Sequence, residues 1–391
     1  MTMSDSLPQR GGSAMPFSPG KPFSLISLFS GVGGMDRGFE KAGFNILWAN
    51  DRDQTVMPSY TSFFPYTVFD SRSLRDISGT EIPKAGGVIG GPPCQSWSAG
   101  GTRRGIQDPQ GQLFEDYLRV LHHVQPLFFV AENVPGLIQG NNRAFFHQML
   151  QRMEQEGYLV TWKVVNAHDY GVPQDRRRVF IVGYHHSLNK GFVFPPPLSC
   201  RPTLRNAIFD LRRLKIGASR KVANHDLFVS GYSPRFMSRN RVRPWHKPSF
   251  TILASARFIP LHPQSPVMVS GKEGKTKQFA PGHEHLYRRL TVRECARIQT
   301  FPDDCHFIYT HVRHGYRMVG NAVPVELAFH LARAIRTDLE QYQHTEQKEA
   351  VCQTQHPFTT EARPDVLPER FENSGIISTN TSSQTTQRED A

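Results

Sequence analysis

The sequence predicts an α/β fold with a mostly parallel sheet, followed by a small loop-rich lobe and a return to regular structure. Three observations predict it. Short apolar runs alternate with amphipathic stretches through the first half of the chain, the signature of βαβ units. A Gly-rich turn directly follows the first run, as at the head of nucleotide-binding α/β folds. After Gly183 the periodic pattern lapses into segments dense in Pro, Gly and Arg, and resumes near Leu290.

In chain order, SLISLF at 24–29 reads as the first strand and NILWA at 45–49 as the second. GGVIGG at 86–91, PLFFVAENV at 126–134 and RRVFIVG at 177–183 supply the later strands. DYLRVLHHV and AFFHQMLQRMEQEG have the apolar spacing of helices that would cover the sheet. PPPLSCRP at 195–202 reads as a linker. Five segments result. Residues 1–21 are expected to form a disordered leader, 22–183 the main α/β domain, 184–287 the smaller lobe, 288–344 the return and 345–391 a disordered tail. No internal repeat is visible.

With 391 residues the chain has no need of a disulfide-held scaffold. Lys and Arg number 46 against 34 Asp and Glu, a net charge of +12. The excess is concentrated: residues 184–287 hold 17 Lys/Arg and 4 Asp/Glu, leaving the remainder at 29 against 30. Such a block suggests a surface for phosphates. The five cysteines, Cys94, Cys200, Cys295, Cys305 and Cys352, form no CxxC pair, so the sequence indicates a reduced intracellular protein without a metal site. Neither a signal peptide nor a run of the ~18 apolar residues needed to span a membrane is evident.

Four motifs can carry chemistry. FSGVGGMDRGF, Phe29 to Phe39, is a tight turn before a helix. It departs from the dinucleotide fingerprint because Asp36 stands where the third glycine should fall, which disfavours a nicotinamide cofactor. Asp51, in ANDRD, stands where such folds hold a ribose hydroxyl; a purely structural turn is the alternative. GGPPCQSWS, residues 90–98, presents Cys94 at a strand's carboxyl end between two prolines and small residues. A thiolate is the strongest side-chain nucleophile near neutral pH, although free cysteines are often buried small hydrophobes. AENV places Glu132 at another strand end, as a proton-handling carboxylate or a capping one. In QDRRR, Gln174, Arg176 and Arg178 alternate on entry to a strand and would share a face, towards a ligand or towards solvent.

Taken in order, FSGVGG, PPCQ, ENV, QDRRR, RRLTVRECARIQTFP and GNAVP resemble the motif series of the cytosine-C5 DNA methyltransferases, across roughly residues 24–340. EHLYRRLTVRECARIQTFPDD, GGPPCQSWSAGG and FMSRNRVRPW further resemble the bacterial restriction-modification branch that methylates within GGCC. The resemblance implies a Rossmann-like S-adenosylmethionine-dependent catalytic domain with a target-recognition domain inserted in it. It implies cofactor contacts at Phe29, Gly31, Val32, Gly33, Gly34, Asp51, Pro93, Leu113, Asn321 and Val323. Cys94 matches the nucleophile and Glu132 the carboxylate on the pyrimidine ring; Arg176 and Arg178 are the arginines of the motif that contacts the flipped base. Gln95 to Gly111 is expected to be a loop that closes over that base.

The position where the family has an adenine-binding Asp is Ser73 here; either a local shift to Asp70 or Asp76 restores the carboxylate, or backbone alone holds the adenine. Asp51 stands where Glu is common. Double-stranded DNA is the implied partner, beside a cognate restriction endonuclease, for a monomeric, cytoplasmic, bacterial enzyme. Within the basic block, Arg239, Arg241 and Arg243 alternate and Arg257 follows, so these four are the expected guanine readers, or else phosphate contacts. An RNA cytosine-C5 methyltransferase and a catalytically impaired DNA-binding relative are the competing readings.

Overall fold

A computed structural model describes residues 23–92, 111–140, 142–217, 222–271, 274 and 276–355. The chain lays down β1 (Ser24–Leu28), α1 (Gly34–Lys41), β2 (Asn45–Asn50), α2 (Met57–Phe63) and β3 (Val68–Asp70). It continues through β4 (Gly87–Gly90), α3 (Gly111–Val124), β5 (Phe128–Asn133), α4 (Asn142–Gln155), β6 (Tyr158–Asn166) and β7 (Arg177–His185). Seven strands make one sheet in the order β3-β2-β1-β4-β5-β7-β6. The first five run parallel, while β7 is antiparallel to both β5 and β6. The mostly parallel α/β fold expected from the sequence is present.

Strand order explains where a ligand can enter. From β1 the chain winds outward to β3 and then returns to β4 on β1's other side, so the connections diverge between β1 and β4. At such a switch point the carboxyl ends of the strands open a crevice. Strand periodicity covers both faces around it. Leu25 and Ile26 enter opposite apolar clusters, as do Phe128 and Phe129, and Phe180 and Ile181. One face packs with α1, Phe39 among its residues, and with Leu327, Leu331 and Ile335 of α8 (Val325–Gln355); the other packs with Tyr117, Leu118 and Leu121 of α3 and with Met149 of α4.

Among its described residues the basic block contains α5 (Leu204–Ile208), the short pair β8 (Val269–Ser270) and β9 (Lys277–Gln278) and a few single 3-10 turns. It does not possess one core of its own. Leu204, Ile208, Leu211, Phe228, Ile252 and Ile259 join a cluster with Tyr60, Phe63, α6 (Val292–Ile298) and α7 (Val312–Asn321); a smaller cluster gathers Phe236, Val242, Leu261, Met268 and Tyr287. Of the expected tail, residues 345–355 continue α8, and the rest lies outside the described residues. Contacts group the chain to His344 as one unit and the rest as a second. Among the described residues no helix is long and apolar enough to cross a membrane.

Candidate active site

At the carboxyl ends of β1, β2, β4 and β5 lies a cavity of about 520 Å³, closed on its far side by the chain around Gly320–Val323 at the end of α7. That volume is in the range of small-molecule sites. Phe29 leaves β1 with φ 53°, a left-handed conformation that non-glycine residues adopt at a cost and that recurs at ligand sites. Gly31 follows at φ 55°, and a Cβ there would meet nothing within 4 Å, so backbone geometry rather than crowding requires glycine. Gly34 is required for the opposite reason: a Cβ would stand 2.3 Å from the carbonyl oxygen of Val323. The returning segment is thus pressed against the glycine turn.

The Asp51 carboxylate faces this turn. Its Oδ2 accepts from the Gly31 N–H and its Oδ1 from the Asp53 N–H, both at 2.8 Å. Burial pushes its pKa up from the ordinary aspartate value, and those two hydrogen bonds oppose the rise. Asn50 donates through Nδ2 to the carbonyl oxygens of Asp70 and Arg72, fixing the turn that brings Ser73 and Leu74 to the wall. Neither proposed substitute for the adenine-binding carboxylate lines the cavity. Asp70 is engaged by Arg72 at 2.7 Å, and Asp76 is exposed. Across the cavity Arg317 of α7 pairs with Asp53 at 3.0 Å and donates to Thr55 Oγ1 at 2.9 Å, tying the loop after β2 to the returning helix.

Seven of the expected cofactor positions, Phe29, Gly31, Gly34, Asp51, Leu113, Asn321 and Val323, line the cavity. Two do not. Val32 is buried in the apolar cluster with Tyr60 and Phe64, and Gly33 caps α1 where a Cβ would collide with Phe64. Both support the turn from behind. Pro93, Cys94 and the expected loop from Gln95 to Gly111, except Gly111 itself, which opens α3, lie outside the described residues; the described chain lines the cavity as far as Pro92, two residues before Cys94.

On the neighbouring wall Glu132, on β5, meets Arg178, on β7, with Nε 2.8 Å from Oε1 and both side chains nearly buried. Antiparallel pairing of β5 with β7 produces this contact, since Glu132 faces Phe180 in register. Asn133 donates through Nδ2 to the carbonyl oxygen of Pro92 at 2.9 Å, fixing the end of β5 to the exit from β4.

Arg176 and Arg178, expected as the arginines of one base-contacting motif, both line the cavity but differ in their surroundings. Arg176 is 1% exposed, and its guanidinium donates to the carbonyl oxygens of Ile252, Gly320 and Ala322 at 2.9, 3.0 and 3.0 Å. Gln174 acts beside it, donating to Gln299 Oε1 at 2.6 Å and accepting from the Ile252 N–H at 2.8 Å. Gln299 in turn donates to the carbonyl oxygens of Val319 and Ala322. Arg176 is therefore a positioning residue that fastens the basic block and the returning segment to β7.

The recognition arginines divide similarly. Arg239 and Arg257 are exposed. Arg241 is buried, donating to the carbonyl oxygens of Phe236 and Arg235 and lying over the Phe236 ring, so it does not share an open face with Arg239. Arg243 pairs with Asp175 at 2.8 Å and lies over Phe250. Alternation failed here because the segment is a loop wrapped around its own small core rather than a strand.

Several participants had no sequence signal. Gln174 and Gln299 are 125 positions apart, and Arg317 lies 264 from Asp53, so no local pattern could pair them. Asp36 was noticed only as a missing glycine.

The chain matches the family described as C-5 cytosine-specific DNA methylase over residues 23–337. It is 47% identical to the type II methyltransferase M.FnuDI of Fusobacterium nucleatum over 327 residues, covering 81% of this chain and 94% of that protein. It is 47% identical to M.MthTI of Methanothermobacter thermautotrophicus, a type II methyltransferase, over 325 residues, or 81% and 98% of the two chains. Among solved structures, the Entamoeba histolytica methyltransferase EhMeth superposes with a TM-score of 0.63 at 16% identity, over 82% of this chain and 99% of that one.

Proposed function

Because the chain belongs to the C-5 cytosine-specific DNA methylase family and is a DNA cytosine-5-methyltransferase, we propose that it modifies a flipped-out cytosine through a covalent Cys94 adduct, within GGCC, as the modification enzyme of a restriction-modification system. The observation that carries the chemistry is one cavity with two differently equipped walls. Asp51 and the glycine turn form one wall, and the Glu132–Arg178 pair forms the other, beside the Pro92 end of the strand that leads to Cys94.

The residues present fit S-adenosylmethionine. A carboxylate faces the open turn at Gly31, Ser73 and Leu74 offer a short polar and backbone edge, and Asn321 and Val323 complete the wall. When bound, that cofactor supplies an activated methyl group. Cytosine C5 is too weak a nucleophile to take it unaided, which is what the protein's own groups address. The Cys94 thiolate adds to C6, moving electron density to C5; Glu132 holds the amino edge and a proton at N3, and Arg178 orients both Glu132 and the base. After C5 is methylated, loss of its proton and expulsion of the thiolate restore the ring. A stacked base is inaccessible to these groups, so it leaves the duplex at a cost of a few kcal/mol.

Residues 22–183 with 288–344 would then be the catalytic part and 184–287 the target reader, with Arg239 and Arg257 its exposed arginines. The enzyme would work as a cytoplasmic monomer beside a cognate endonuclease. Incubation with methyl-labelled S-adenosylmethionine and DNA, RNA or no polymer, alongside Cys94→Ala, tests the reaction; label in DNA that depends on Cys94 is expected, and equal label from the variant refutes the adduct. Bisulfite sequencing of DNA from expressing cells tests GGCC, and methylation at another sequence overturns that site.

A further inference from the structure

One group on the cavity wall has no part in the reaction just described. Asp36, in the first turn of α1, is 0% exposed, yet it contributes to the cavity lining. The Tyr60 hydroxyl donates to its Oδ1 at 3.1 Å, and the Ser27 hydroxyl and Asp36's own N–H also serve the carboxyl. Its Oδ2 has no partner. Glu40, which acts on it electrostatically, is also negative.

Two other carboxylates of this protein behave otherwise. Asp51 uses both oxygens on backbone N–H groups. Glu294, at the third position of α6, reaches back to the Thr291 N–H and also takes two donors from Arg288. That backward reach is the usual job of a carboxylate at this helical position. Asp36 holds the same position in α1, but Gly33 caps that helix without any side-chain bond. A buried carboxylate with a free oxygen is costly unless a cation meets it.

Asp36 stands two residues beyond the turn Phe29 to Gly34, which the family resemblance implies for the methionine end of the cofactor. We propose that Asp36 Oδ2 receives a cationic group of that end of S-adenosylmethionine, its ammonium or its sulfonium, and thereby sets cofactor affinity. The proposal rests on reading this cavity as the cofactor site. Burial holds the Asp36 carboxyl up at about 6, so the free protein keeps this charge at neutral pH against a penalty that a bound cation relieves.

The test is calorimetric binding of S-adenosylmethionine and S-adenosylhomocysteine, without DNA, to the intact protein, Asp36→Asn and Asp36→Ser at pH 8, with melting curves to establish folding. Two variants of different size guard against one failing to fold. Both should bind S-adenosylmethionine at least about tenfold more weakly. Equal weakening of S-adenosylhomocysteine, which keeps the ammonium but lacks the sulfonium charge, assigns the ammonium; unchanged binding of it assigns the sulfonium. Folded variants that bind S-adenosylmethionine as tightly as the intact protein overturn the proposal. Failure of the intact protein to bind it would instead overturn the cofactor reading itself.

Discussion

Arg178 and Arg317 on the cavity wall and Arg241 and Arg289 at the basic block are used in opposite ways. Arg178 and Arg317 reach the cavity wall and meet carboxylates there, Glu132 and Asp53. In the block and at its edge, Arg241 and Arg289 are turned inward onto backbone carbonyls and aromatic rings, with Arg289 lying 4.1 Å from the centre of the Tyr232 ring. A charge count therefore overstates the surface available to DNA. A loop-rich lobe with little regular structure leaves many carbonyl oxygens without backbone donors, and the five N–H groups of arginine satisfy several at once. Arg241 and Arg289 serve the fold, while Arg201, Arg213, Arg235, Arg239 and Arg257 stay exposed.

The largest effects should fall on the cavity side. Cys94→Ala should bring methyl transfer to background, and Glu132→Gln should lower it by about 10²–10⁴, as expected for loss of a group that handles a proton; single-turnover transfer measures both, and near-normal rates in either would remove that residue from the chemistry. Next come Arg176 and Arg178, two residues apart. Arg176→Met strips donors from three buried carbonyls and should cost about 3 kcal/mol or more of stability. Arg178→Met should lower transfer and, since it removes one ion-pair partner from Glu132 rather than the donor of three carbonyls, should cost less stability than Arg176→Met. If both variants lost stability alike, the division between a fastening and a base-facing arginine would fail.

That pair also shows what was legible beforehand. Period-two alternation placed Arg176 and Arg178 on one face of β7, but a shared face does not fix how far each guanidinium travels. The partners of Arg176 are 76 to 146 positions away in sequence. Strand ends were readable because they are local: β1, β2, β4 and β5, and with them Phe29, Gly31, Asp51 and Glu132, follow from apolar runs ending in glycine or a polar residue. The edge strand β3, three residues long with Val68 exposed, lacks such a run. Asp36 was visible only as a glycine that was not there, since the partner of its carboxyl, Tyr60, comes from another helix.

The two regions should also respond oppositely to pH. Asp36 has its pKa raised from 3.8 to about 6 by burial, partly offset by Ser27 and Tyr60 and aided by Glu40. Its contribution to stability is full below 3.8 and is lost as pH rises through about 6. His262, in the basic block, is lowered from 6.5 to about 4 by burial, with Glu294 opposing and Arg288 and His225 reinforcing. Its contribution is full above 6.5 and is lost as pH falls through about 4. In the intact protein the two oppose each other between these limits. Asp36→Asn should stabilise the cofactor-free protein at pH 8 by on the order of 2 kcal/mol, and should leave a stability profile that declines on acidification. Melting curves from pH 4 to 8 measure it; a variant less stable at pH 8 would mean that the carboxylate is structural.

The smallest stability effects, and the sharpest test of the basic block, lie among Arg239, Arg241 and Arg257. Arg241→Met should cost about 2 kcal/mol, because two carbonyls lose their donor and the Phe236 ring its cation. Arg239→Ala and Arg257→Ala should stay within about 0.5 kcal/mol of the intact protein, as exposed side chains do. Their effect should appear on DNA instead. A base reader loses discrimination between GGCC and single-substituted sites, by about 1–3 kcal/mol, with the salt dependence preserved. A phosphate contact weakens every duplex equally, and the slope of log affinity against log salt falls by about 1. Binding of the three variants to cognate and substituted duplexes at two or more salt concentrations separates these cases. If Arg241→Met alone changed DNA binding while folding normally, inward-facing arginines would not be reserved for the fold, and the contrast between the two regions would collapse.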